Sequence, residues 1–358
     1  MESLALRYRP KTWEDVLGQE TSVRIIKAML ERGRLYPFFV FGGPRAAGKT
    51  SMARILAKAV NCLSPVDYSP CNVCEICLSI DDESCPDFME LDAASNGGIA
   101  SVRKIKDISM YTPSMLKHRV FVLDEAHAMS REAFQAMLKI LEEPPPRTIF
   151  IMATTEVQEI PETILSRAFP FEFKRIQPVD IAGRLRMIAD CESLDVEDSA
   201  LMAIAANVSG AVRDAITLLQ QVSALPGRVT EDDVLAVLGV LKRSEIADAV
   251  EFMINKKAAR VVIWLGQLRT KGVSPFVVLE ALLDYSNVLL ASSVGVSSGL
   301  SVAEQDRAYL LCQQLGPERL DRLVEHISTI SVRASRAQRF AQLLVDTGLT
   351  RIAREGAL

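Results

Sequence analysis

Through its first half the chain alternates short apolar runs with amphipathic stretches. Phe38–Phe41, Phe88–Leu91, Arg119–Leu123, Thr148–Ala153 and Pro170–Phe173 read as strands. Thr21–Arg32, Ser51–Val60, Ile99–Ser109 and Arg131–Glu142 read as helices between them. Strands alternating with helices predict an α/β domain, with a mostly parallel sheet covered on both faces. After Gln177 the strand signals stop, and Pro178 marks a boundary. From Val179 to Leu241 the period becomes helical: Ile181, Leu185, Ile188 and Ala189, then Leu201, Ile204, Ala205 and Val208, then Ala215, Ile216, Leu218 and Leu219. A second break around Gly239–Ser244 precedes an all-helical region. Helices are expected there at Glu245–Asn255, Ala258–Lys271, Pro275–Ser292, Ala303–Leu315, Glu318–Ile330 and near Arg336–Thr347, with a Ser/Gly-rich loop at Ala291–Ser301. The expected domains are 1–178, 179–241 and 242–358.

Between the first strand and the next helix lies Gly43-Pro44-Arg45-Ala46-Ala47-Gly48-Lys49-Thr50, which fits the phosphate-binding pattern G-x-x-x-x-G-K-[ST] in its required strand–loop–helix context. Backbone N–H groups of such a loop and of the helix start, here Gly43 and Ala46 to Ser51, converge on anionic oxygens. Lys49 adds charge near the β/γ-phosphates and Thr50 a hydroxyl for Mg²⁺. The strand Phe121-Val122-Leu123 ends in Asp124-Glu125. Asp124 is expected to hold Mg²⁺ with Thr50, and Glu125 to polarise an attacking water as general base. Ala153-Thr154-Thr155 closes the next strand, and Thr155 is the residue expected to reach the γ-phosphate or that water. Arg167 reads either as a surface arginine or as a finger for a neighbouring subunit's site. Arg213 reads either as a helix-start surface residue or as a side chain turned back toward the γ-phosphate.

The whole chain of 358 residues is 49% hydrophobic and 24% charged, with a net charge of −4. These values fit a soluble globular protein, and a protein binding nucleic acid alone is usually more basic. No apolar run is read as long enough to span a membrane, and no basic start with an apolar core marks export, so neither a membrane nor a secretory role is expected. Seven cysteines are present. Cys62, Cys71, Cys74 and Cys77 offer four thiolates with x₈, x₂ and x₂ spacing, which suits a closed structural Zn²⁺ site within an insert at about 61–86. An Fe–S cluster is the alternative, although no proline follows the last cysteine. Cys85, Cys191 and Cys312 stand apart.

These residues in this order resemble the AAA+ ATPases of sliding-clamp loaders, and among them the gamma/tau family of bacterial DNA polymerase III. Leu6-Arg7-Tyr8-Arg9-Pro10 through Val16-Leu17-Gly18-Gln19 is similar to that family's N-terminal box, which implies adenine contacts from Arg9, Pro10 and Val16. The four-cysteine insert, Asp124-Glu125-Ala126-His127-Ala128-Met129, Leu141-Glu142-Glu143-Pro144-Pro145, Ser166-Arg167 and Gly210-x-x-Arg213 also resemble family motifs. Two positions depart: Ala168 stands where the family usually has Cys, and Ala46 where the phosphate loop often has Gly. Should position 46 need a positive φ, Ala adds strain of about 1 kcal/mol.

The resemblance implies a P-loop AAA+ domain, a small helical lid and an all-α collar. It implies ATP, Mg²⁺ and Zn²⁺ as cofactors and Arg167 acting in trans. It further implies a five-subunit ring with delta- and delta-prime-like partners, a sliding clamp, and primer–template DNA whose phosphates meet Arg103 and Lys139. A stator that does not hydrolyse ATP, or another AAA+ DNA-remodelling motor, are the alternatives. The chain stops at the collar, as a gamma-like form, a truncated chain or a phage relative would. The expected location is the bacterial cytoplasm or nucleoid, or an infected host cell.

Overall fold

The structure is a computed structural model that describes residues 3–296 and 302–355. Five strands form one sheet: β1 (Phe38–Gly42), β2 (Phe88–Asp92), β3 (Arg119–Asp124), β4 (Thr148–Thr154) and β5 (Phe169–Glu172). Their order is β2-β3-β4-β1-β5, and every pairing is parallel. A parallel sheet covered on both sides needs strands that are apolar on both faces. Here alternate residues feed two separate cores. Phe39, Phe41, Val120, Val122, Ile149 and Ile151 pack on one side with Met52, Ile55 and Leu56 of the helix Lys49–Asn61. Phe38, Val40, Phe121, Leu123, Phe150 and Met152 pack on the other with helices Ile99–Ser109 and Arg131–Glu142. β4 neighbours β3, with Leu123 opposite Met152. It also lies between β3 and β1, so Asp124 reaches the phosphate loop across an intervening strand.

The chain separates into two compact units, Met1–Glu231 and Asp232–Leu358. The first holds the sheet and helices Pro178–Cys191, Asp198–Asn207 and Val212–Val222. Pro178 opens the first of these at a position where its missing N–H costs nothing.

The second unit is helical and has one apolar core, with Val250, Trp264, Leu282, Leu289, Leu323, Ile327 and Val345 among its members. Three expectations are corrected here. Pro275–Ser293, at 19 residues, is long and apolar enough to cross a membrane by length and composition. The reading that no run approaches that length therefore fails. In the structure this helix buries Val278, Leu279, Leu282, Tyr285 and Leu289 in the core of its unit. The second concerns the last helices. Leu320, Leu323, Ile327, Ile330 and Ala334 form one continuous buried stripe, so Pro317–Arg336 runs on past the expected end at Ile330. The break falls at Ala337, and the final helix is Ala341–Glu355 rather than Arg336–Thr347. The expected Ala291–Ser301 loop is helical through Ser293, and residues 297–301 lie outside the described part.

Candidate nucleotide site and cysteine cluster

The loop after β1 is shaped by its neighbours. Gly43 has φ 147°, and a Cβ there would stand 2.4 Å from the Phe173 carbonyl oxygen, so only glycine fits. Its own N–H donates to Thr154 O at 3.2 Å, which ties the loop to β4 rather than leaving that donor for a ligand. Ala46 has φ 56°. The expected strain at this non-glycine position is therefore present. Gly48, at φ 94°, leads into the helix Lys49–Asn61. The first N–H groups of that helix have no partner within it and form an anion-binding end.

The side chains expected from the sequence converge here. Thr50 Oγ1 donates to Asp124 Oδ2 at 2.7 Å. Glu125 sits at φ 48°, and its N–H donates to Asp124 Oδ1 at 2.9 Å. Lys49 is buried and folds back on the loop, its Nζ donating to Gly43 O at 2.9 Å and Pro44 O at 2.8 Å. Burial pushes the Lys49 ammonium down from its usual range, against the pull of Glu125 and Asp124. Thr155 Oγ1 lies 3.4 Å from Glu125 Oε2. Its neighbour Thr154 is fully buried, contacting His127 Nδ1 at 3.1 Å and accepting from the Glu156 N–H at 3.1 Å. Of the two threonines, Thr155 is therefore the one beside the acids.

A cavity of about 660 Å³ extends from this loop. Arg9, Pro10, Val16, Ala46, Ala47, Gly48, Lys49, Thr50, Ser51, Asp124, Glu125 and Arg213 all line it, whereas Gly43 and Thr155 do not. The N-terminal segment is held over it by helices of the same unit. Tyr8 Oη donates to Glu192 Oε1 at 2.7 Å, the Leu4 N–H donates to Gln220 Oε1 at 3.0 Å, and Arg7 pairs with Glu192 at 2.7 Å. The Glu192 carboxylate raises the Tyr8 hydroxyl to about 12. Leu17, Ile176, Val212 and Ile216 give the cavity an apolar lining. Apolar lining with a few placed polar groups suits an aromatic base. Leu17 falls within the N-terminal box, whereas Ile176, Val212 and Ile216 were not singled out in the sequence. The same holds for Arg54, Glu83, Glu90 and Arg184, which also line the cavity. Burial and the nearby Arg54 cation push the Arg9 guanidinium down from its usual range.

Arg167 does not line this cavity. It is exposed, donates to Thr163 O at 2.8 Å and lies 3.6 Å from Glu142 Oε1. Arg103 and Lys139 are exposed on the paired helices Ile99–Ser109 and Arg131–Glu142.

The Sγ atoms of Cys62, Cys71, Cys74 and Cys77 all lie within 4.8 Å of one another. Backbone N–H groups point at the sulfurs, Cys71 N to Cys62 Sγ at 3.3 Å and Cys74 N to Cys71 Sγ at 3.4 Å. Burial works against the Cys74 thiolate, but hydrogen bonds from Leu63 and Cys77 outweigh it and lower the thiol to about 6. Burial pushes Cys77 the other way. Four converging sulfurs with N–H donors fit a tetrahedral Zn²⁺, whose bonds to sulfur are about 2.3 Å long. Cys85 is buried in the apolar core instead.

The sheet order, phosphate loop and acid pair define a P-loop ATPase fold of the AAA+ class. Solved structures agree on the fold: the Thermotoga maritima RuvB Holliday junction branch migration motor matches with TM-score 0.50 and 17% identity, over 85% of this chain and 90% of that one. Family profiles and relatives then narrow the class. A profile described as DNA polymerase III, delta subunit, matches residues 18–177, and one for DNA polymerase III subunits gamma and tau domain III matches 229–343. DNA polymerase III subunit gamma of Buchnera aphidicola subsp. Acyrthosiphon pisum is 35% identical over 75% of this chain and 75% of its own length. DNA polymerase III subunit tau of Bacillus subtilis is 37% identical over 89% of this chain, and that of Escherichia coli is 36% identical over 75%. The chain belongs to the DNA polymerase III gamma/tau family. It spans 57% of the Bacillus subtilis relative's length and 42% of the Escherichia coli one's.

Proposed function

We propose that this chain is an ATP-hydrolysing motor subunit of a sliding-clamp loader, which opens the clamp and places it on primed DNA. The observation that carries the proposal is the half-complete site. Lys49, Thr50, Asp124 and Glu125 converge within the chain, while Arg167 is exposed and outside the cavity. Lys49, Gly48 and the helix N-terminus would hold the ATP phosphates, and Thr50 and Asp124 the Mg²⁺, which neutralises charge on those oxygens. Val16, Pro10 and Arg9 would border the base. Glu125, kept beside Thr155, would orient and deprotonate the attacking water. Arg213 would read the γ-phosphate from its helix, and Arg167 would complete the site of a neighbouring subunit. Cys62, Cys71, Cys74 and Cys77 would hold a structural Zn²⁺.

The expected partners are delta- and delta-prime-like subunits in a five-membered ring, a sliding clamp, and primer–template DNA gripped without sequence readout by Arg103 and Lys139. Residues 1–178 would be the nucleotide-binding domain, 179–241 the lid and 242–358 the collar, working in the bacterial cytoplasm. The test is ATPase activity of the assembled loader with clamp and primed DNA. Lys49→Ala should abolish the stimulated rate, and an unchanged rate sinks the proposal. The strained Ala46 favours a second reading, a stator that only donates Arg167. Calorimetry on the isolated chain separates the two, since a stator binds no ATP at millimolar concentration.

A further inference from the structure

The helix that carries Lys49 and Thr50 also buries two cations one turn apart on the same face, Arg54 at 8% exposure and Lys58 at 1%. A buried charge is tolerated only where partners of opposite sign are held in place. For both cations, partners come from the cysteine insert. Lys58 Nζ donates to Asn72 Oδ1 at 2.7 Å and to Asp81 Oδ1 and Oδ2 at 3.0 and 3.2 Å. Asn72 lies between two of the clustered cysteines, and Asp81 ends the helix Glu75–Asp81 that starts beside Cys74 and contains Cys77. Arg54 pairs with Glu83, two residues further on, and with Glu90 of β2. Burial disfavours the Arg54 cation, and the two carboxylates more than offset it. Arg54, Glu83 and Glu90 line the nucleotide cavity, where Glu90 also stands 4.0 Å from Arg9.

We propose that Asn72, Asp81 and Glu83 are positioning residues that clamp the phosphate-loop helix through Lys58 and Arg54, so that metal binding at the cysteine cluster and nucleotide binding at the loop strengthen each other. The cysteine cluster fixes the short segment that presents all three groups. When the cluster opens, Lys58 loses both of its partners and Arg54 loses one of two. A helix with an uncompensated buried ammonium shifts or frays, and its N-terminal N–H groups are the ones the phosphates need. Coupling of this kind is reciprocal, so bound nucleotide should hold the metal more tightly by the same factor.

This inference rests on the proposed nucleotide site and on Zn²⁺ as the metal, and its test separates the failures. The full chain is compared as wild type, Asp81→Asn and Asp81→Glu, each zinc-loaded and chelator-treated. Zinc content, affinity for a fluorescent ATP analogue, and hydrogen exchange across Lys49–Asn61 are measured. Asp81 lies outside the nucleotide cavity, so its replacement removes no ligand contact. Zinc-loaded Asp81→Asn should keep its metal, bind the analogue about three- to tenfold more weakly and exchange faster across that helix, with Asp81→Glu recovering part of the loss.

Chelated wild type should lose at least as much affinity, and chelating Asp81→Asn should add less than the product of the two effects. Analogue should raise the chelator concentration needed to strip zinc from wild type and do so less for Asp81→Asn. The proposal is overturned if stripped wild type keeps its affinity within twofold, if the two effects multiply independently, or if Asp81→Asn leaves helix exchange unchanged. A wild type that binds no nucleotide refutes the functional reading instead. The exchange data, and the zinc retention of Asp81→Asn, then judge the clamp alone.

Discussion

The two compact units bury different chemistry. Among the described residues, the first places Lys49, Arg54, Lys58, Arg119 and Asp87 at or below 8% exposure, while the second buries no Asp, Glu, Lys or Arg side chain. Ser286 satisfies itself by donating to Leu282 O, one turn back. A core of Leu, Ile, Val and Ala needs only shape to be stable. A core holding ammonium and guanidinium groups needs every partner in place. The charged core coincides with the proposed nucleotide and metal sites, and the apolar one with the proposed scaffold.

The strongest way to break this contrast is at Asp87. Its Oδ1 accepts from Arg119 Nε at 3.0 Å and Nη2 at 2.6 Å, and its Oδ2 from the Met115 N–H at 2.6 Å. Asp87→Ala leaves the buried Arg119 guanidinium with the Ile108, Tyr111 and Thr112 carbonyls but no counter-charge, and should cost about 3–5 kcal/mol in denaturant unfolding of the first unit. Its counterpart in the second unit is Leu282→Ala, expected to cost about 2–5 kcal/mol by leaving a cavity. Hydrogen exchange should confine that loss to Asp232–Leu358, with analogue affinity unchanged within twofold. A large change in affinity would show that the apolar unit is more than scaffold.

Gly43→Ala tests the loop. With the added methyl driven into the Phe173 carbonyl, analogue affinity should fall about tenfold or more. Acid should also divide the units. Burial raises the Asp87 pKa, but the Met115 N–H and Arg119 outweigh it, so the carboxyl lies below its usual value. A depressed carboxylate contributes stability above its unfolded pKa of about 3.9 and loses it as pH falls through the folded one. The first unit should therefore begin to lose this support below about pH 4, read by exchange against the second unit. The smallest effect is expected at Ala46. Ala46→Gly relieves the left-handed strain and should tighten analogue binding about threefold. Weaker binding would mean that the methyl group supports the loop.

Much of the first unit was legible because its signals are local. Phe38–Phe41 and Thr148–Ala153 are apolar on both faces, and their strands lie within a residue of where the pattern put them. Lys49, Thr50, Asp124 and Glu125 occupy the places their motif spacing implies. The helix ends of the second unit were harder. Ile330 and Ala334 continue a stripe that carries Pro317–Arg336 past the expected break. Of the apolar wall of the cavity, only the N-terminal box was legible. Ile176 and Ile216 come from two distant segments, and each looks like any other core residue.

The sequence by itself determined the phosphate-loop and acid-pair motifs, the four-cysteine spacing and the alternation that makes a parallel sheet, because each of these patterns is local in the chain. Only the tertiary structure decided what surrounds them. It put β4 between β3 and β1, turned the Thr154 hydroxyl onto His127, and left Arg167 outside the cavity of its own chain. It also brought Asp81 and Glu83 onto Lys58 and Arg54, pairs separated by 23 and 29 residues. A buried charge names the need for a partner, but which partner meets that need is settled only when the chain has folded.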